Sequence, residues 1–299
     1  MSEYHNPVLL EESVSAIIGD TSGVYADATF GGGGHSALIL SRLSRKGRLM
    51  AFDRDADALE NAPADKRLTL IHNNFRFIHN FALLHEVEFD GILADLGVSS
   101  HQFDTEERGF SFRFDTALDM RMNADGGRTA ADVVNDSTVE RLEEILRLYG
   151  EVENAGKVAK LIDAARRLSP IRTTGDLNKA VESALPPYAD HKWLAKLYQA
   201  LRIEVNEEMR SLEKFLQGAA ASLKQGGKLA VITYHSLEDR MVKNFIKTGN
   251  VEGNEQRDVY GNNSAPLKAV NRKPILPAEE EIQTNTRARS AKLRIAEKI

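Results

Sequence analysis

The sequence predicts an α/β protein: a mostly parallel β-sheet covered by helices on both faces and interrupted by an all-helical insertion. Three observations carry this. Apolar strand-like runs alternate with helical runs from Val24 to Leu96. The text then turns helical from Ser137 onward, and a strand pattern returns at Gly226. Apolar strands alternating with helices bury both faces of a parallel sheet.

The elements follow in order. Val24–Phe30 is β-rich and runs into glycines, and Ser36–Leu43 has helical spacing. Arg48–Asp53 reads as a second strand, with an acidic helix start at Asp55, and Leu68–His72 as a third strand. Phe75–Val87 reads as a helix and Phe89–Leu96 as a fourth strand. Ser99–Asn123 lacks a period and reads as a long loop, a kind of segment that often carries function. Ser137 to Glu140 fits a capping box before the apolar stripe Val139, Leu142, Ile145, Leu146 and Tyr149. A second helix carries Val158, Leu161, Ile162 and Ala165, and a third runs from Thr174 to before Pro186. One long helix is expected from Trp193 to Lys224. Gly226-Gly227 then supply a turn, Leu229–Thr233 a strand, and Ser236–Lys247 a helix with Ser236 as N-cap. Val251–Pro277 is irregular, and Ser290–Ala296 closes the sheet. The expected division is 1–103 for the first part of the sheet domain, 104–205 for the loop and helical insertion, and 206–299 for the second part.

Composition narrows the chemistry. At 42% hydrophobic and 28% charged the chain is ordinary globular material. No apolar run reaches membrane-spanning length, and the acidic start of MSEYHNPVLLEESV is unlike a secretory signal, so a cytoplasmic protein with no membrane partner is expected. The absence of cysteine excludes disulfides, thiolate zinc sites and cysteine nucleophiles, and with the last the adduct route to methylation at pyrimidine carbon 5. No metal site is indicated. A net charge of −5 argues against a nucleic-acid partner unless the basic residues are segregated. They partly are: residues 265–299 hold eight Lys/Arg against four Glu.

The candidate ligand site begins at Gly31-Gly32-Gly33-Gly34-His35, where a strand ends and a helix starts. Such a loop brings backbone N–H groups close to a ligand. Asp53 follows Gly33 at the spacing, about 20 residues, at which an acid takes ribose hydroxyls. The spacing fits both NAD and S-adenosylmethionine. Two details favour the second: Asp27 stands four residues before Gly31, where it suits an ammonium and would repel a pyrophosphate, and Asp95-Leu-Gly-Val-Ser-Ser100 puts a polar cluster after the fourth strand. Phe75 suits either an adenine stack or the core, and His35 either the cofactor or a helix-start hydrogen bond.

Taken together, DATFGGGGH (27–35), AFDRD (51–55), DGILADLGVSS (90–100), RGFSF (108–112), LDMRM (118–122), QALRIEVN (199–206), HSLEDR (235–240) and RARS (287–290) resemble one family. It is the bacterial small-subunit ribosomal RNA cytosine-N4 methyltransferases called RsmH, formerly MraW. The match runs from His5 to Lys298 in order. Tyr234 stands where the family more often has Phe, Lys196-Leu-Tyr198 differs before QALRI, and Thr286 replaces a frequent Pro.

The resemblance implies a Rossmann-like class I methyltransferase sheet with an inserted all-helical domain. It implies S-adenosyl-L-methionine as cofactor, contacted by Gly33, Gly34, His35, Asp53, Phe75, Asp95 and Gln102. The implied reaction is methyl transfer to N4 of a cytidine in the decoding region of small-subunit (16S) ribosomal RNA, with the ribosomal subunit as setting. A homodimer is left open.

The chemistry needs an oriented amine and a proton acceptor. Asp95 is the candidate to orient the amine or the cofactor ammonium, with Tyr234 and His235 facing the base; the alternative for His235 is a structural hydrogen bond at a helix start. Arg108, Phe110, Phe112, Arg113, Arg287 and Arg289 interleave positive charge with aromatic or strand residues, as RNA contacts would, or form solvated surface. A small-molecule methyltransferase, an NAD oxidoreductase and a non-catalytic RNA-binding chaperone are the competing classes.

Overall fold

The computed structural model describes residues 7–59, 62–98, 105–186, 190–255 and 265–299. They form two compact units, residues 1–97 with 209–299, and residues 98–208.

The first unit starts with a helix the sequence reading did not anticipate, α1 (Leu10–Ile17). There follow β1 (Val24–Asp27), α2 (Gly34–Arg42), β2 (Arg48–Asp53), α3 (Ala56–Leu59), β3 (Leu68–His72), α4 (Ile78–Leu84) and β4 (Phe89–Asp95). The second unit holds α5 (Ala130–Asp136), α6 (Val139–Gly150), α7 (Ala155–Leu168), α8 (Thr174–Val181) and α9 (Asp190–Val205). After it come α10 (Glu208–Ser222), β5 (Leu223–Thr233), α11 (Ser236–Thr248), β6 (Leu267–Ala269), α12 (Glu279–Thr284) and β7 (Lys292–Lys298).

The seven strands form one sheet in the order β3-β2-β1-β4-β5-β7-β6. β1 to β5 are parallel; β7 runs antiparallel to both β5 and β6. This is a Rossmann-like arrangement with one antiparallel strand inserted near the edge. Side chains alternate across a strand, so each strand feeds two cores. Ala26, Phe52, Ile92, Ala94 and Val231 pack with Ile78, Phe215 and Phe245 of α4, α10 and α11. Tyr25, Leu49, Leu93, Ile232 and Leu293 pack with Val14, Ile17 and Ile39 of α1 and α2. The order reverses between β1 and β4. Parallel strands all end on one edge, and at the reversal the two flanking connections diverge and leave a crevice there.

The helical unit packs α5 to α9 around Leu142, Ile145, Val158, Ile162, Leu177 and Leu201. Thr129 and Thr173 close capping boxes with Asp132 and Asp176. Two helix starts differ from expectation by one residue. Thr138, not Ser137, caps α6 by accepting from the Arg141 N–H, because Ser137 still closes α5. His235, not Ser236, caps α11, in a capping box with Glu238. The expected Trp193–Lys224 helix is broken: Glu207 adopts φ 47 and separates α9 from α10. Asn206 explains the break. Its amide nitrogen donates to the Met120 and Arg202 carbonyls and its oxygen accepts from Met122 N–H. A side chain that satisfies this many backbone groups competes with helix continuation. Within Val251–Pro277, read as irregular, lies the edge strand β6.

One ion pair ties α11 to the sheet. Arg294 of β7 donates to Asp239 through Nε at 2.7 Å and Nη2 at 3.2 Å, and Lys292 adds a third bond at 3.4 Å. Burial pushes the Asp239 carboxyl up, but these bonds and charges outweigh it and hold the carboxyl below the usual range. Its stabilisation is therefore complete above an ordinary carboxyl pKa and is lost as pH falls through the depressed value. Asp239→Ala should lower the unfolding free energy at pH 7 by about 2 kcal/mol. In denaturant melts the gap from wild type should close as the solution is made strongly acidic.

Candidate functional site

Three strands at the reversal point end in aspartate: β1 in Asp27, β2 in Asp53 and β4 in Asp95. The register pairs Asp27 with Ala51 and Leu93, so Asp53 and Asp95 lie two residues further toward the same edge.

Asp27 is fully buried. It accepts from Ser36 Oγ at 2.7 Å and from Thr29 N–H at 3.1 Å. Burial raises its carboxyl, opposed by His35 and these hydrogen bonds. The sequence reading set Asp27 beside a cofactor ammonium. In the structure Asp27 has no exposed surface and braces the loop through Ser36 and Thr29.

The glycine loop is shaped by backbone bonds. Phe30 N–H donates to the Phe52 carbonyl, and Gly31 N–H donates to Asp53 Oδ2 at 2.8 Å. Gly33 caps α2 with φ 76, a left-handed conformation that is costly for other residues. A Cβ there would stand 2.9 Å from the Phe30 ring, and one on Gly34 would stand 2.1 Å from Pro7 Cγ. Glycine is thus required at Gly33 for conformation and at both positions for close packing. His35 is 5% exposed, and its Nε2 donates to the Val8 carbonyl at 3.2 Å. This bond ties the start of α2 to the segment before α1, while Nδ1 faces Asp95 Oδ2 at 3.9 Å.

Asp53 sits at the mouth of the loop. It accepts from Gly31 and Asp55 N–H groups, and burial raises its carboxyl against those bonds. Phe75 opens a 3-10 turn after β3 and stands edge-on to Phe215, centroids 5.2 Å apart, half-buried. That contact leaves part of the ring for a planar ligand. Gln102 lies outside the described residues.

Asp95 is held through both its backbone and its side chain. Its N–H donates to Thr29 Oγ1 at 2.7 Å, and its Oδ1 accepts from the Tyr234 hydroxyl at 2.7 Å. Burial raises the carboxyl to about 6, opposed by His35 and by the Tyr234 hydrogen bond. Burial and the charge of Asp95 raise Tyr234 well above its usual value, so it stays a hydrogen-bond donor. Its ring packs beside Gly97, which adopts φ 101. Glu238 fixes this segment from below: its carboxylate accepts from the Tyr234 and His235 N–H groups. His235 Nδ1 accepts weakly from Glu238 N–H at 3.5 Å, and Nε2 lies 3.1 Å from Glu238 Oε1. His235 thus caps α11.

Sequence reasoning missed Thr29 and Glu238. The first had no signal beyond its place in DATFGG. The second was legible as the third residue after His235, the capping-box spacing.

The expected RNA contacts separate in the structure. Phe110 is corrected: it is 5% exposed within the helical core, so its ring faces are covered and it offers no stacking surface. Phe112 is half-buried, edge-on to Tyr198 at 5.6 Å. Arg108 donates to the Arg121 and Met122 carbonyls and organises its own loop. Arg113 and Arg289 are exposed, and Arg287 is half-buried.

The chemistry of the donor set fits S-adenosylmethionine. A positive-φ glycine turn admits a ligand close to the backbone, and Asp53 presents an acceptor suited to ribose hydroxyls. Carboxylates, not cations, line the edge, which suits a sulfonium and an ammonium and opposes a pyrophosphate.

The comparisons agree. A model of the MraW methylase family matches residues 2–299. A curated relative from Bacteroides fragilis, named Ribosomal RNA small subunit methyltransferase H, is 56% identical over 99% of this chain and 97% of its own. Proteins of the same name from Parabacteroides distasonis and Flavobacterium johnsoniae are 52% and 54% identical, each covering 99% of this chain and 98% of the relative.

Gly33→Ala should cost more than tenfold in S-adenosylhomocysteine affinity by titration calorimetry, with the circular dichroism spectrum unchanged. Retained affinity would show that the turn does not meet the ligand.

Proposed function

The chain belongs to the MraW methylase family and is an S-adenosylmethionine-dependent ribosomal RNA methyltransferase; from that premise we propose that it methylates the exocyclic N4 amine of a cytidine in the decoding region of small-subunit ribosomal RNA. We place the reaction on the small ribosomal subunit in the cytoplasm. The observation that carries the amine assignment is Asp95: a desolvated carboxyl near 6, oriented by Tyr234 at 2.7 Å and by Thr29 through the backbone.

The amine of cytosine is a poor nucleophile because its lone pair is delocalised into the ring. The bound cofactor supplies an electrophilic methyl on a sulfonium. What the chain must add is alignment and a place for the amine proton. Holding the amine in line is worth roughly 7–11 kcal/mol in favourable cases. Asp95 accepts an amine hydrogen, draws the lone pair out of the ring, and takes the proton as positive charge develops on nitrogen. An acceptor with a pKa near the working pH is best matched to that task. Tyr234 fixes the carboxylate by donating to Oδ1, so Oδ2 is the oxygen available to the amine. Glu238 acts as a positioning residue that holds the Tyr234 backbone, and His235 caps the helix that carries Glu238. The lack of cysteine is consistent with an amine rather than a ring-carbon target.

Gly33, Gly34, His35, Asp53, Phe75 and Gln102 belong to the cofactor in this reading. Arg113, Phe112, Arg287 and Arg289 belong to the RNA. Arg108 supports its loop.

Tritiated methyl transfer to isolated small subunits, followed by nucleoside analysis, tests the assignment. The expected product is N4-methylcytidine. Tyr234→Phe should lower the rate by roughly tenfold while leaving S-adenosylhomocysteine affinity within about twofold, the scale of one hydrogen bond to a charged group. Label in any other nucleoside would contradict the target.

A further inference from the structure

The first unit contains a cavity away from the cofactor edge. It has a volume of about 540 Å³ and opens between α11, the edge strand β6 and the β7 strand beside it. Lys243 and Lys247 reach it from α11, Lys268 from β6, Arg272 from the following loop and Arg294 from β7, over a floor that includes Ile246 and Ile295. In the described residues no acidic side chain lines it.

The charge is not internally balanced. Asp239 holds Arg294, and Glu255 pairs with Lys247 at 3.0 Å. Lys243, Lys268 and Arg272 are exposed and have no ion-pair partner among the described residues. A lysine on an edge strand by itself blunts aggregation and needs no ligand. That reason does not extend to Lys243 and Lys247, one turn apart on a helix, or to Arg272 on a loop. Cations from several elements converge on one concave apolar floor. The net charge of the chain is −5, so this local excess is a segregation, not a reflection of the whole.

We propose that this cavity binds the substrate RNA outside the methylated nucleotide, taking backbone phosphates on the lysines and Arg272 and a ribose or unstacked base on the apolar floor. Charge complementarity selects a polyanion, and the apolar floor selects one with planar faces: single-stranded RNA offers both. The position suits an extended substrate. Lys243 lies eight residues beyond His235 along α11. At the rise of an α-helix that is about 12 Å along the axis. β6 stands three strands from β4, the strand that ends in Asp95. At the usual strand spacing that is about 14 Å. Arg294 forms the rigid back wall because Asp239 fixes its guanidinium.

The inference rests on the reading that the substrate is ribosomal RNA, not on which base is methylated. The test uses the full chain and the triple variant Lys243→Ala/Lys268→Ala/Arg272→Ala, all exposed positions outside the cofactor edge. Methyl transfer to purified small subunits is measured across salt concentrations, with S-adenosylhomocysteine titration as a control. The expected result is a KM for subunits raised tenfold or more, with kcat and cofactor-product affinity unchanged. The slope of log affinity for labelled oligouridylate against log salt should fall by about 2, for three phosphate contacts on a single strand. An unchanged KM and an unchanged slope would overturn the proposal. So would labelled hexaglutamate binding more tightly than oligouridylate and losing that binding in the variant, which would make the partner an acidic protein segment. Nucleoside analysis of the wild-type product reads the N4 assignment separately, so either can fail without the other.

Discussion

Parallel strands must end on the same edge of their sheet, and here that edge carries three carboxylates drawn out of water. Everything at the site follows from holding Asp27, Asp53 and Asp95 together without letting them repel the fold apart. Burial raises all three carboxyls. Each is then given specific donors: Ser36 and Thr29 for Asp27, Gly31 and Asp55 for Asp53, and Tyr234 for Asp95. The arrangement has a cost. An Asp95 raised to about 6 contributes stability that is fully present only below the ordinary carboxyl pKa and is lost as pH rises through 6, so the ionised form at neutral pH is a strain on the fold. A positive charge placed beside Asp95 would relieve that strain.

Shape and charge divide the labour. The glycine loop sets where a ligand can approach, because only glycine fits φ 76 beside the Phe30 ring at Gly33. The carboxylates set what charge it carries. Tyr234 and Glu238 then make a helix start into a fixed wall beside Asp95: the capping box that begins α11 also holds the backbone of the residue that donates to Asp95.

The sheet was largely legible in the sequence because burial on both faces writes itself as short apolar runs between helical ones. The strand ends at Asp27, Asp53 and Asp95 were legible for the same reason. What was hidden depended on long-range partners. Asn206 looks like an ordinary helix residue until its amide is seen to satisfy Met120 and Met122 from a distant loop. Phe110 looks like a base-stacking aromatic in RGFSF, yet the helical core claims it. Arg108 looks like a phosphate ligand, yet its guanidinium binds carbonyls of its own loop. Asp27 stands at the expected place by spacing, and its burial behind the loop was not legible. In each case composition and spacing were read correctly, and a tertiary partner decided the role.

The central claim is that Asp95, oriented by Tyr234, accepts the amine proton as an ionised carboxylate. The pH dependence of single-turnover methyl transfer on small subunits measures this most directly. The account predicts a rate that rises through an apparent pKa near 6 and then levels, and an Asp95→Asn variant that is slower by at least a hundredfold with no such rise. A variant with a near-wild-type rate, or one that keeps the same rise, would contradict it.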